Sequence, residues 1–180
     1  LEADQVIIKS TYRDIDPNTY TGITKDTTYR ATDNGQAKQR PFIFLVDNNS
    51  ASAAEILASA VKDNRNDIIL MGQSTYGKAR GQIWRSTIEQ GLMTITMMKL
   101  TTSRDIDYNL VGLKPHVDLS NESNWLEKAY ERALFEMGKS SRIGAKALAK
   151  VKTDIGTIEL NRRLITQFRK TRPDFLITNY

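Results

Sequence analysis

PFIFLVDNNSASAAEILASAVKDNRNDIILMG, residues 41–72, is the stretch that decides the fold. Residues 41–46 form a continuous apolar run without alternation, the pattern of a strand buried on both faces of a parallel sheet. Asp47-Asn48-Asn49 stops the run. From Ser52 the period changes, and Ile56, Leu57, Ala60 and Val61 fall on one face of a helix. Ser50 or Ser52 can cap that helix, and Glu55 lies three residues beyond Ser52, the capping-box spacing. Asp63-Asn64-Arg65-Asn66-Asp67 ends it, and Ile68-Ile69-Leu70-Met71-Gly72 reads as a second buried strand. Strand–helix–strand crossovers within one sheet are right-handed and parallel almost without exception. The stretch therefore predicts the parallel βαβ centre of an α/β domain.

Outward from it, residues 5–12 are rich in β-branched side chains and predict a strand. Residues 13–40 are polar and broken by Pro17, Gly22 and Gly35, with a strand around 27–30 and a turn at Asp33-Asn34-Gly35. Downstream, residues 81–88 and 92–101 flank Glu89-Gln90-Gly91 and predict an antiparallel hairpin. Residues 102–112 read as a polar loop and 113–119 as an edge segment broken by Pro115. Trp125, Leu126, Ala129, Tyr130, Ala133, Leu134 and Met137 have helical spacing, ended by Gly138. Residues 145–152 and 159–170 are further helix candidates, with Gly156 between them and Pro173 beyond. No internal repeat or low-complexity segment is visible.

The 180 residues suit one domain with a core of its own. With 39% hydrophobic and 26% charged residues, the composition is that of a globular rather than a disordered chain. No apolar run is long enough to span a membrane as a helix. Leu1-Glu2-Ala3-Asp4 is not the start of a signal peptide, and with no initial Met the chain is expected to be an excised or processed piece. Without cysteine there is no disulfide framework, thiolate nucleophile or zinc–thiolate site, and a single histidine, His116, is too few for a histidine metal cluster. The net charge of +5 is unevenly placed: from Ser123 onward twelve Lys/Arg face six Asp/Glu. Such a tail is either a solvated helical face or a surface for an acidic partner, anionic lipid or nucleic acid.

Two positions invite a chemical reading. A serine before a helix is usually only an N-cap, yet Ser52 follows a buried strand, has small neighbours and opens a helix. There a hydroxyl is exposed, and the helix N-terminus offers free N–H groups and partial positive charge to a developing oxyanion. A serine needs a base. His116 lies in the Pro-containing edge segment, where a surface or structural role is the simpler reading. Lys78, after Gly77 and past the second buried strand, could point inward, and a lysine freed of its proton by burial can act as base. Taken alone it reads as a solvated lysine. Gly72 to Lys78 also fits Gly-x4-Gly-Lys, most of a phosphate-binding P-loop. Ala79 stands where that loop needs Ser or Thr, and a strand pattern follows where it needs a helix, so the P-loop reading fails.

Asn-Ser-Ala-Ser-Ala-Ala-Glu-Ile at 49–56, then Thr-Tyr-Gly-Lys-Ala-Arg-Gly-Gln at 75–82, resembles the signature of the C-terminal processing peptidases, the S41-type tail-specific serine proteases. Gly112-Leu113-Lys114-Pro115-His116-Val117 is similar to that family's Gly-Ile-x-Pro-Asp stretch, with His116 where Asp is common. The likeness covers roughly residues 5–119. It implies a crotonase-like α/β core with a parallel βαβ unit, short antiparallel strands and a helical C-terminal extension, divided as a catalytic part over 1–122 and a basic extension over 123–180. Ser52 resembles the nucleophile, Lys78 the general base, Gln82 the residue that orients the lysine, and the Ala53 N–H an oxyanion donor. Ala54 and Ala79 replace a usual serine and glycine. An Asn-Pro-Gly-Gly-like oxyanion segment and a PDZ domain, usual upstream in that family, are not visible, so the chain is expected to be the C-terminal part of a longer peptidase and poorly active alone.

The implied reaction needs no metal or cofactor. The implied substrates are unfolded or C-terminal protein segments outside the cytoplasm, with no nucleic acid, and the basic extension is a candidate oligomer or partner contact. Two other classes compete: a non-catalytic peptide-binding module on the same fold, and an acyl-CoA-handling protein for which the Ser-Lys-Gln spacing is coincidence.

Overall fold

The βαβ unit forms as the apolar runs predict. In the computed structural model, which describes residues 1–16, 18–19, 21–32, 42–87, 90–140, 149–153 and 156–160, β3 (Phe42–Val46) and β4 (Ile68–Gly72) pair in parallel. Phe42 stands opposite Ile68 and Val46 opposite Gly72, and α1 (Ala53–Asn64) crosses between the strands. β7 (Val117–Asp118) pairs in parallel with the other edge of β4, giving the order β3-β4-β7.

A second sheet is antiparallel, in the order β2-β1-β6-β5, from β1 (Val6–Ile15), β2 (Gly22–Arg30), β5 (Arg80–Ser86) and β6 (Leu92–Thr101). β1 and β2 run longer than the strands expected at 5–12 and 27–30 because they pair with each other along nearly their whole length. The β5–β6 hairpin matches expectation.

Strand alternation assigns the core. Phe42, Phe44, Val46, Ile68 and Leu70 turn to one face of the parallel sheet, where they meet Ala58 and Val61 of α1 and Ile8 and Leu100 of the antiparallel sheet. Ile43, Ile69, Met71 and Val117 turn to the other face and pack with Trp125 and Ala129 of α2 (Trp125–Ser140). Both faces are thus covered, as strands without alternation require. Leu45 departs from this, lying exposed on the edge strand β3.

Three expectations change. Leu57 does not belong to the buried stripe of α1: it is exposed, while Glu55, Ala58, Ser59, Ala60 and Val61 are buried. Small residues on that stripe let the helix lie close to the sheet, which turns the larger Leu57 outward. α2 runs through Gly138 to Ser140 instead of stopping at the glycine. The helix candidate at 145–152 is overturned over 149–152, and so is the start of the one at 159–170. Residues 149–160 instead hold an antiparallel pair, β8 (Ala149–Thr153) and β9 (Gly156–Leu160), with Thr153 opposite Gly156. Val151, Thr153, Thr157 and Ile158 are β-branched and suit a strand, and a two-residue link to Gly156 has hairpin length. The extension is therefore not wholly helical. The Asp33-Asn34-Gly35 turn and the remainder of both helix candidates lie outside the described residues.

His116 takes the structural role expected of it. The Leu70 N–H donates to its Nδ1 at 3.0 Å, and its own N–H donates to the Leu70 carbonyl oxygen at 2.8 Å, extending the β4–β7 ladder by one residue. A ring nitrogen that accepts carries no proton, so the imidazole is neutral here. Partial burial, chiefly, and the nearby Lys62 charge hold its pKa below the ordinary value. Below about pH 6.5 the unfolded chain takes up a proton that the folded chain resists, so stability falls as pH falls. Urea unfolding of the protein should show this loss between about pH 7 and pH 5. In His116→Asn, whose side-chain oxygen can accept from Leu70, the loss over that range should disappear; an unchanged slope would contradict the assignment.

Candidate active site

The turn from β3 into α1 is fixed from both ends. At its start one oxygen of Asp47, Oδ1, accepts from the N–H groups of Asn49 and Ser50 at 3.1 and 2.9 Å and from the Ser50 hydroxyl at 2.9 Å. These bonds, the serine hydroxyl first, keep the Asp47 carboxyl below the usual carboxylate range. At its end Ser52 is the N-cap of α1, with φ 57° and ψ −115°. That is a positive-φ conformation a residue with a Cβ adopts only when its surroundings over-determine it. Strained strand-to-helix turns are one way α/β enzymes expose a nucleophilic hydroxyl. Ser52 is exposed, and the Ala53 N–H has no hydrogen-bond partner among the described residues, as is usual for the first amides of a helix.

What holds Ser52 in that conformation is Glu55. The Ser52 N–H donates to Glu55 Oε2 at 2.9 Å, the glutamate half of the expected capping box. The side chain does more than cap. Glu55 is 0% exposed. Its Oε2 also accepts the Lys78 N–H at 2.8 Å, while Oε1 accepts the Gly77 N–H at 2.7 Å and the Thr75 hydroxyl. All four partners donate, as suits an acceptor-only carboxylate, and its place in the first helical turn suits a negative charge. The amides of Ser52 and Lys78 therefore meet on one oxygen atom, and two segments more than twenty residues apart are fixed side by side.

The Lys78 segment is a strap laid across the start of α1. Along it exposure alternates: Thr75, Gly77 and Ala79 are buried, whereas Tyr76 and Lys78 face out. The Tyr76 N–H donates to the Ser50 carbonyl oxygen at 3.0 Å, tying the strap to the turn between β3 and α1. The Thr75 hydroxyl, donating to Glu55, also accepts the Leu113 N–H at 2.7 Å. The Leu110 N–H donates to the Gly77 carbonyl oxygen at 2.8 Å, so the 102–112 loop backs the strap. Gly77 and Gly112, both at positive φ, allow this approach. A Cβ on Gly77 would lie 2.8 Å from the Gly112 nitrogen, and one on Gly112 would lie 2.0 Å from the Thr75 oxygen. Tyr108 is buried, and its hydroxyl has no hydrogen-bond partner among the described residues; burial, and then the Glu55 and Asp107 charges, push its pKa up to about 12. After Lys78 the chain runs on into β5 with no helix, so the Gly-x4-Gly-Lys segment does not have the P-loop's form.

Of the residues marked in the sequence, Ser52 and Lys78 are brought together through their amides on Glu55, with Ala53 next to Ser52 in the chain. Gln82 lies on β5 beyond a bulge at Gly81/Gln82, and its Nε2 donates to Thr96 Oγ1 at 3.4 Å. No hydrogen bond joins the side chains of Ser52, Lys78 and Gln82 to one another among the described residues. His116 is committed to β4. Sequence reasoning gave Glu55 a capping role only and passed over Thr75; the signal was a capping glutamate at the head of a helix bound for the core. Removing that carboxylate strands two buried donors and two neighbouring amides. Glu55→Ala should cost about 3 kcal/mol or more in urea unfolding, and Glu55→Gln about 1–3 kcal/mol because its amide turns an N–H toward donors. A Glu55→Ala protein as stable as wild type would contradict this account.

The description Peptidase family S41 matches residues 3–119. The chain is similar to the chloroplastic C-terminal processing peptidase of Tetradesmus obliquus, 32% identical over 94 residues, which are 52% of this chain and 20% of that protein. It is also similar to the carboxy-terminal processing protease CtpA of Bacillus subtilis, 32% identical over 78 residues, 43% of this chain and 16% of that one. The chain thus spans about a fifth of the length of the curated relatives it matches. Its fold is like that of the photosystem II D1 C-terminal processing protease, with a TM-score of 0.55 at 24% identity, covering 73% of this chain and 32% of that one. Over its first two-thirds, the chain belongs to peptidase family S41.

Proposed function

We propose that this chain carries the nucleophile and the base of a serine endopeptidase built on a crotonase-like core. The observation that supports this most is the shared oxygen of Glu55, which seats the amides of Ser52 and Lys78 together at the strained start of a helix. In this reading the Lys78 amine takes the Ser52 hydroxyl proton as Oγ attacks the carbonyl carbon of the scissile bond. The oxyanion that forms is met by the free Ala53 N–H and the positive end of α1. Lys78 then gives the proton to the departing amine, leaving an acyl-enzyme that water hydrolyses by the same steps. Gln82, re-aimed by the bulge before it, orients Lys78 once a substrate covers the site. Substrates are unfolded or C-terminal protein segments, the setting is extracytoplasmic, and the basic stretch 123–180, whose α2 packs on the parallel sheet, offers a partner surface.

One observation favours a second reading, a non-catalytic peptide-binding module. Lys78 and Gln82 are both exposed and not hydrogen-bonded to each other. A serine-reactive fluorophosphonate, applied to the full-length protein, separates the two: labelling of the wild type that is lost in Ser52→Ala supports the peptidase, and no labelling supports the module.

Ser52→Ala should lower cleavage of a denatured protein by about 10⁴-fold or more while leaving urea stability near wild type. Lys78→Arg should be inactive too, since a guanidinium is not deprotonated in a protein. A lysine base also calls for a rate that rises toward alkaline pH. Proteolysis unimpaired in Ser52→Ala would end the assignment.

A further inference from the structure

Beside the strap lies a group of apolar side chains that the fold does not use. Tyr76, two residues before Lys78 on the outward side of the strap, is 61% exposed. Leu110 and Val111 are 86% and 66% exposed, at the tip of the loop whose Leu110 N–H is bonded to the Gly77 carbonyl oxygen. Gly77, between Tyr76 and Lys78, is so near that loop that a Cβ on it would lie 2.9 Å from the nitrogens of both Leu110 and Val111. The three side chains therefore rim the backbone from which Lys78 projects.

The rim is also held firmly. Arg80 grips Asp107 through two bonds of 2.8 and 3.1 Å, Asp107 accepts the Asn109 N–H at 3.0 Å, and Asn109 accepts the Ala79 N–H at 3.3 Å. Burying a Leu or Val side chain is ordinarily worth about 1.5–3 kcal/mol. A loop fixed by polar bonds on both sides has no need of aliphatic residues in water. Exposed apolar groups on a preorganised backbone are the make-up of a binding site.

We propose that Tyr76, Leu110 and Val111 form a subsite that takes an apolar side chain of the peptide being cleaved, close to the scissile bond. The occupant is a peptide, not a second copy of the chain, because the rim is continuous with the Lys78 strap and shares its backbone bonds. The proposal rests on the reading of Ser52 and Lys78 as the reacting pair.

The test is kinetic. Internally quenched peptides identical except for Leu or Ser at one position, scanned through the residues flanking the cleavage point, are compared on wild type, Tyr76→Ser, Leu110→Ser/Val111→Ser and Leu110→Met. At one position the wild type should prefer Leu in kcat/KM. That preference should shrink about 10–100-fold in the serine variants, the usual scale for an apolar contact at an enzyme subsite, and Leu110→Met should keep it. An unaltered preference overturns the subsite. So does a change of oligomeric state in Leu110→Ser/Val111→Ser, by sedimentation, without a change of preference, which would make the rim an interface between copies. Binding of the labelled Leu peptide to Ser52→Ala, by fluorescence anisotropy, judges the rim apart from the chemistry. Weaker binding after Leu110→Ser/Val111→Ser upholds it even where Ser52→Ala cleaves as well as wild type, a result that would end the peptidase reading alone; equal binding overturns it.

Discussion

Glu55 closes the first turn of α1, and its enclosed carboxylate receives hydrogen bonds from Ser52, Thr75, Gly77 and Lys78. Burying a carboxylate away from water is unfavourable unless its lone pairs are met by donors. Here the backbone meets most of them. Three are main-chain amides, whose positions depend only on the path of the chain, so the arrangement constrains two stretches of backbone at once. The strained φ of Ser52, the bend at Gly77 and the seating of Thr75 on Leu113 are all consequences of satisfying this one group.

The rest of the molecule serves that junction. The parallel sheet, covered on one face by α1 and the antiparallel sheet and on the other by α2, fixes the C-terminal ends of β3 and β4, from which both site segments leave. This is where open α/β sheets generally place ligands. The 102–112 loop, polar by composition, is not a passive connection. It buries Tyr108, backs the strap through Leu110 and Gly112, and is fastened to β5 and β6 by the ion pairs of Asp107 with Arg80 and Lys99. The family match covers residues 3–119, while β8 and β9 lie beyond the matched stretch.

The difference between the expected and observed extension has a simple cause. Lys150 and Lys152 alternate with Ala149, Val151 and Thr153, and over a few residues an alternating pattern can be taken for the edge of a helix. Pairing with the β-branched Thr157 and Ile158 across a two-residue link settles it as a strand, and a helical reading of either segment alone overlooks that partner. Leu57 shows the same limit: helical spacing admits it to an apolar face, but the actual stripe is set by how closely the helix can approach the sheet.

The sequence by itself determined the parallel βαβ centre, because unbroken apolar runs and a switch of period are local signals, and it marked Ser52 and Lys78 through motifs of fixed spacing. It also contained the Ser52–Glu55 capping pair, which spans one helical turn. Only the tertiary structure decided that the same glutamate reaches across to Thr75, Gly77 and Lys78, that His116 completes a ladder on β4, and that Leu110 and Val111 stand beside the lysine. Each of these is a contact between segments far apart in the chain, fixed by the packing of two sheets around α1, and no periodicity or spacing along the chain encodes such a distance.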